Sequence, residues 1–316
     1  MCGENQTVVT ELFLTGFPNM KTFRIVFFCL ALLVYMFIFF GNLMIIVLVS
    51  SSYRLHCPMY FFICNLSLAD LIITSSIVPN MLCIIWWDGH SMSISGCISQ
   101  FFFVFVSSGA QCCILMLMSF DRYLAICLPL RYSAIMNMNS SIHLAFGSWT
   151  LVLCLLNVEV IMISQLQFCS SNIIDHFFCD FAPLLALSSS DVDDLVWFDF
   201  SFGISLIFCP FFCILVSYIS IFIVVCKISS WKGRSKAFST CSSHLLVVCT
   251  YYGSLIGVYL SPSHENAFYE NKLKSLLFVM LTPCTNPIIY SMRNKEIINT
   301  MKDLYKGRKN RIERND

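Results

Sequence analysis

Seven separate stretches of this chain are each long and apolar enough to cross a lipid bilayer, and nothing else in it limits the fold so strongly. They run near 25–50, 58–86, 97–127, 142–164, 199–226, 237–260 and 272–291. Ile25 to Val49 is 25 residues without a charge, and Phe200 to Cys226 is a second long neutral block. About 20 residues rising ~1.5 Å each suffice to span the hydrocarbon. In lipid every backbone polar group needs an internal partner, so only helices and closed barrels cross. The blocks are too long for barrel strands and do not alternate, so helices are expected. Composition agrees: 12% of the 316 residues are charged and 58% hydrophobic. Soluble domains carry roughly 25% charged residues. A soluble chain this poor in charge could not cover its surface.

Basic residues orient the helices, because they gather on the cytoplasmic side. Arg54 falls in the first loop, Arg122 and Arg131 in the second, and Lys227, Lys232, Arg234 and Lys236 in the third. Eight more follow the seventh block, against only Lys21, Arg24, Lys272 and Lys274 on the other side. The N-terminus is therefore expected outside and the C-terminus in the cytoplasm. This divides the chain into an extracellular tail (1–24), a seven-helix domain (25–291) and a basic cytoplasmic tail (292–316). The fold class is an all-α membrane bundle, with a short amphipathic cytoplasmic helix after the seventh span. Pro58 suits a first helical turn. Pro79, Pro210, Pro283 and Pro287 lie deeper and are expected to kink their helices.

No cleavable signal is evident, since the first apolar block is longer than a signal core. The sequon at Asn5 then falls outside, open to glycosylation. Of eighteen cysteines, only Cys2, Cys97, Cys169 and Cys179 fall on the outer side. The rest sit within or at the inner ends of spans, as small apolar residues. A Cys97–Cys179 disulfide would pin the long fourth-to-fifth loop over the mouth of the bundle. Cys169 has no evident partner, and Cys2 is a poor candidate.

Short motifs sit on this frame in a fixed order: Gly41-Asn42; "LHCPMYFFICNLSLAD", 55–70; "MSFDRYLAIC", 118–127; Ser217-Tyr218; "KAFSTCSSH", 236–244; and "PCTNPIIY" with "SMRNK", 283–295. The ordered set resembles the olfactory receptors, within the rhodopsin-like G-protein-coupled receptors, over nearly the whole chain. That resemblance implies an odorant receptor in the plasma membrane. It binds small volatile molecules and activates a stimulatory, olfactory-type heterotrimeric G protein that raises cyclic AMP.

It also implies roles for individual residues. Asp121, Arg122 and Tyr123 stand at the cytoplasmic end of the third helix. At rest Arg122 pairs with Asp121. On activation it is freed toward the G protein, with Tyr218 and Tyr290 swinging in to hold it. Taken alone, such a triplet more commonly just marks a membrane boundary. Asp70, a mid-membrane acid and so a functional candidate, corresponds to the family's polar centre with Asn42 and Asn286. Gln111 stands where these receptors commonly carry a glutamate. With one negative charge lost, the alternatives are a weak sodium site and a neutral hydrogen-bonded Asp70.

Helical spacing puts Phe101, Val104, Phe105, Ser108 and Cys112 on one face of the third span, and Tyr252, Leu255, Ile256 and Tyr259 on one face of the sixth. Phe202 and Leu206 in the fifth and Leu276 and Val279 in the seventh match their depth. Spacing alone reads each face as packing core. The resemblance makes them the odorant cavity, with Ser108 and Tyr259 as hydrogen-bonding groups. Glu159, in the fourth span, either draws an amine or faces loop and water.

Some positions depart from the family pattern. Phe120 replaces the usual tyrosine before Asp121, Cys284 and Thr285 replace bulkier residues, and Ser189 stands where Cys169 would ordinarily find its partner. Two other readings are a membrane transporter and a chemoreceptor of this fold outside the nose. Transporters show internal repeats and several mid-membrane charges, and neither is seen. No nucleophile–base set, phosphate loop or nucleic-acid motif is present. No metal site or cofactor is expected. His176 and Cys179 share a metal-like spacing, but Cys179 is committed to the disulfide.

Overall fold

The computed structural model describes residues 9–17, 21–169, 171–259, 267–293 and 296–303, most of them helical. The helices are α1 (Arg24–Ser51), α2 (Pro58–Trp87), α3 (Ile94–Cys127), α4 (Pro129–Ile135), α5 (Met138–Ser164), α6 (Phe181–Ala186), α7 (Asp193–Gly203), α8 (Cys209–Lys227), α9 (Trp231–Tyr259) and α10 (Ala267–Arg293). A last helix, α11 (Glu296–Asp303), turns away by 75° after α10. Six spans are long and apolar enough to cross a membrane: α1, α2, α3, α5, the continuous Asp193–Lys227 run, and α9. The seventh qualifies as α10 and α11 together. The protein is a multi-pass helical membrane bundle, as its apolar blocks require.

Burial separates the central helix from the outer ones. In its most apolar stretch α3 is 72% buried, whereas the fifth span is 17% buried. α3 packs against α2, α5 and α8, α1 against α2 and α10, and α9 against α10. Outward faces such as Phe37 and Phe40 on α1 or Phe212 and Phe222 on α8 remain exposed. Such surfaces are stable only against lipid.

Local chemistry sets the helix ends. Pro58 occupies the first turn of α2, where a missing N–H costs nothing. Ser93 accepts from the Gly96 N–H at the start of α3, and Asn137 from the Ser140 N–H at the start of α5. α2 ends on Asp88 in the left-handed region, followed by Gly89 at φ 128°. A Cβ on Gly89 would lie 2.3 Å from the Phe13 ring, so only glycine fits there.

The deep prolines behave in two ways. Pro79, Pro283 and Pro287 sit inside helices that run on through them. Pro210 follows a five-residue π-helical turn, Ile204–Phe208, that interrupts the fifth span. Lacking an N–H, it cannot close the ordinary bond to Leu206, and the wider turn just before it accommodates that loss.

The end of the bundle that carries the N-terminus bears a small sheet that sequence reading missed. Its strands are β1 (Glu11–Leu14), β2 (His90–Ser93) and β3 (Ile173–Ile174), in the order β2-β1-β3. β1 runs antiparallel to β2, with Phe13 opposite Ser91, and parallel to β3, with Phe13 opposite Ile173. Leu12 and Leu14 on β1 are fully buried. The described stretch of the N-terminal tail, 9–17, thus packs into the core through Leu12, Leu14 and Phe17.

Candidate functional sites

Asp70 is fully buried and both its oxygens are occupied. Gln111 Nε2 donates to Oδ1 at 2.6 Å and Asn286 Nδ2 to Oδ2 at 2.7 Å. Asn42 belongs to the same layer but does not touch Asp70. Its Nδ2 donates to the Ile38 and Pro283 carbonyls at 3.0 and 3.1 Å. The second bond has a structural cause. Pro287 has no N–H to give the carbonyl four residues back, and Asn42 supplies the missing donor. The Oδ1 atoms of Asn42 and Asn286 have no partner among the described residues.

At the other end of α3, Asp121 is fully buried. Its Oδ2 accepts from Arg122 Nε at 2.9 Å and also from a terminal guanidinium nitrogen. Its Oδ1 accepts from the Tyr132 hydroxyl at 2.9 Å. The Tyr132 phenol is raised above its usual range by burial and by the Asp121 charge beside it. Tyr218 is paired with a residue of the sixth span. Its hydroxyl lies 2.6 Å from His244 Nδ1 with the rings stacked, tying α8 to α9. Tyr290 is buried, and its hydroxyl has no partner among the described residues. Tyr132 and His244 were not singled out from the sequence, though His244 closes the quoted "KAFSTCSSH".

The faces expected to form a pocket divide between two layers of core. Phe101, Val104 and Val279 are buried in the layer nearer the sheet, with Phe105, Phe202, Leu206 and Leu276 packed against it. Cys112, Tyr252 and Leu255 belong to the layer below. Tyr251 links the two helices, its hydroxyl donating to the Ser108 carbonyl at 2.8 Å and lying 3.1 Å from Cys112 Sγ. Ile256 is 47% exposed, unlike Tyr252 and Leu255 on the same expected face. The Tyr259 side chain and Asn5 lie outside the described residues. Glu159 is 1% exposed and so does not face water.

The roof over these layers is heavily cross-linked. Cys97 and Cys179 are disulfide-bonded. Gln100 reaches both ways, donating to the Ser76 carbonyl and accepting from the Cys179 N–H, each at 2.8 Å. Lys272 is buried and donates to the Gly16 carbonyl at 2.8 Å and to Asp175 Oδ1 at 2.5 Å. Burial alone would raise the Asp175 carboxyl, but bonds from Lys272 and Thr15 hold it below its ordinary value. His176 is pushed down to about 4 by burial and by the Lys272 charge. The expectation that Cys169 lacks a partner is overturned, because it too is disulfide-bonded. A single absent partner at Ser189 says nothing of cysteines elsewhere.

Comparison with known proteins is consistent along the chain. The family model described as "Olfactory receptor" matches residues 28–307. Olfactory receptor 287 of Rattus norvegicus is 41% identical over 308 residues, covering 97% of this chain and 98% of that protein. Olfactory receptor 1C1 of Homo sapiens is 41% identical over 293 residues, 93% of each chain. Olfactory receptor 1500 of Rattus norvegicus is 39% identical over 297 residues, 94% of this chain and 95% of that one.

Proposed function

The chain belongs to the olfactory receptor family, and from that premise we propose how it senses and signals. It is an odorant-sensing G-protein-coupled receptor and not an enzyme. In the proposed orientation the sheet faces outward and the Asp121 end faces the cytoplasm at the plasma membrane. Ligands are small, mostly apolar volatiles held among Phe101, Val104, Phe105, Ser108, Cys112, Phe202, Leu206, Tyr252, Leu255, Tyr259, Leu276 and Val279. Each buried methylene is worth roughly 0.8 kcal/mol, so micromolar affinities are the natural scale. The partner is a stimulatory, olfactory-type G protein raising cyclic AMP.

The observation that carries this reading is the double occupation of Asp121. One carboxylate holds Arg122 and Tyr132 together, which keeps the arginine from a partner protein until the contact opens. Tyr218 and Tyr290 are the groups proposed to receive it then, with Tyr123 completing the triplet beside it. Asp70, Asn42, Gln111 and Asn286 form the polar centre between pocket and switch. Its two unpartnered amide oxygens, with Asp70, are the ligands a sodium ion would use, held weakly by one negative charge.

Dose–response curves for Ser108→Ala test the pocket, with polar and hydrocarbon agonists of matched length. Agonists bearing a hydroxyl or carbonyl should lose a few-fold to roughly tenfold in potency, the value of one hydrogen bond. Hydrocarbon agonists should not move. Equal shifts for both would place the pocket elsewhere.

A further inference from the structure

We propose that Glu159 and Asp199, with Asp180 beside them, form a recognition site for a protonated amine, so that among small apolar ligands the receptor favours those carrying a basic nitrogen. The inference rests on the odorant-sensing role proposed above and names a ligand class for it. Glu159 stands on α5 and Asp199 on α7, each roughly one and a half turns from the helix end that meets the long loop. α5 and α7 pack together there, and the two carboxyl groups lie within hydrogen-bonding reach of one another. Glu159 is 1% exposed, and its Oε1 meets no donor among the described residues. Asp180 caps the start of α6, accepting from the Phe181 N–H at 2.9 Å, and stands close enough to feel the Asp199 charge.

No ion pair among the described residues answers these acids. Lys272, Lys274 and Arg24, the bases at this end of the bundle, are engaged by Asp175, Glu270 and Asp88. An unpaired buried charge is costly, and two carboxyl groups in contact need either a proton between them or a shared cation. The acids do not make up a metal-ligating group, so the cation they suit is one that donates hydrogen bonds. An ammonium group carries three N–H donors on one centre, and its bonds to carboxylates are roughly twice as strong as neutral ones. On binding, the shared proton leaves to water and the ammonium N–H groups take its place.

The carbon skeleton of such a ligand has an apolar place to lie. Along the fifth span Asp199 shares a face with Phe202 and Leu206, and along α5 Glu159 shares one with Val152 and Leu156. All four belong to, or pack against, the core layer of Phe101 and Val104. The acids therefore border the proposed pocket where the fourth and fifth spans meet.

The test pairs hexylamine, cyclohexylamine and phenethylamine with the alcohols of the same skeletons, on the full-length receptor, in two readouts. One is cyclic AMP in cells at matched surface density. The other is the melting temperature of the purified receptor in detergent, which needs no G protein. At least one amine should be about tenfold or more as potent as its alcohol, and should raise the melting temperature where the alcohol does not. Glu159→Gln and Asp199→Asn nearly conserve volume, and each should abolish the amine's advantage while the alcohol response stays put. Asp180→Asn, which retains a helix cap, should narrow the gap and serves where either of the others fails to reach the surface. Wild-type receptor that treats amine and alcohol alike in both readouts would overturn the proposal, leaving the acids to share a proton only. Equal losses for amine and alcohol in Glu159→Gln would overturn it too, since the acid then serves the fold. Alcohol responses without an amine preference sink this site alone. Stabilisation by an amine with no cyclic AMP response to any ligand upholds the site and sinks the signalling role.

Discussion

Both oxygens of the Asp121 carboxylate are used, and the two bonds differ in what their loss should do. Removing the Tyr132 hydroxyl leaves Arg122 in place but weakens the hold on the closed arrangement. A hydrogen bond to a charged group is worth about 1.5–3 kcal/mol, and ~1.4 kcal/mol is a tenfold change in an equilibrium. Tyr132→Phe should therefore raise ligand-free cyclic AMP several-fold at matched surface expression. An unchanged or lower baseline would mean that the hydroxyl does not hold the resting state. His176 makes a second prediction at this scale. Its value of about 4 lies below the ordinary imidazole range. A depressed histidine gives stability that is present above about pH 6.5 and lost as pH falls toward 4. Asp175, held low, acts in the same sense in stronger acid. Asp180, raised to about 6 by burial with Asp199 nearby, acts in the opposite sense. Comparing variants removes that opposing contribution. Amide-exchange protection of β1 should drop between pH 7 and pH 5, and drop less in His176→Gln. Equal drops would remove His176 from the account.

Among the elements, α3, α5 and the π turn meet closely. A Cβ on Gly109 would lie 2.5 Å from Leu206 Cδ2 and 2.8 Å from Val152 Cγ1. Gly109→Val should cost about 1–3 kcal/mol by overpacking, seen as a lower melting temperature in detergent and reduced surface delivery. Wild-type stability would show that the fifth span slides away freely. How much of this was legible in the sequence depends on the range of each signal. Spans, Pro58 and the Asp70 layer are carried by long apolar runs and by rare polar groups within them. β1 is not, because "ELFL" is four residues whose two partners lie some eighty and one hundred sixty positions away. The bond from Asn42 to Pro283 was missed for a similar reason, since it answers a proline four residues further along another helix. Tyr251 was missed because adjacent helical residues differ by about 100° in direction, and spacing from Tyr252 alone did not mark its neighbour as a contact of α3. Cys169 was read from one missing neighbour, when its partner need not be local.

For the whole molecule, the account joins a strapped roof, a packed apolar middle, a polar centre and a closed arginine contact into one receptor. The roof ties β1, the long loop and α3 together through the Cys97–Cys179 disulfide, Gln100 and Lys272. The polar centre ties α1, α2, α3 and α10. Movement of the middle layers is the proposed route from ligand to Asp121. Its proposed end point is the freeing of Arg122, a residue that retains 14% side-chain exposure and whose hydrogen bonds among the described residues go only to its neighbour Asp121. The most direct measurement is therefore cyclic AMP in cells expressing wild type and Arg122→Ala at equal surface density, exposed to a panel of chemically diverse odorants. The account predicts that wild type responds to at least one apolar class, and that Arg122→Ala reaches the surface but loses the response. A normal response from Arg122→Ala would contradict it.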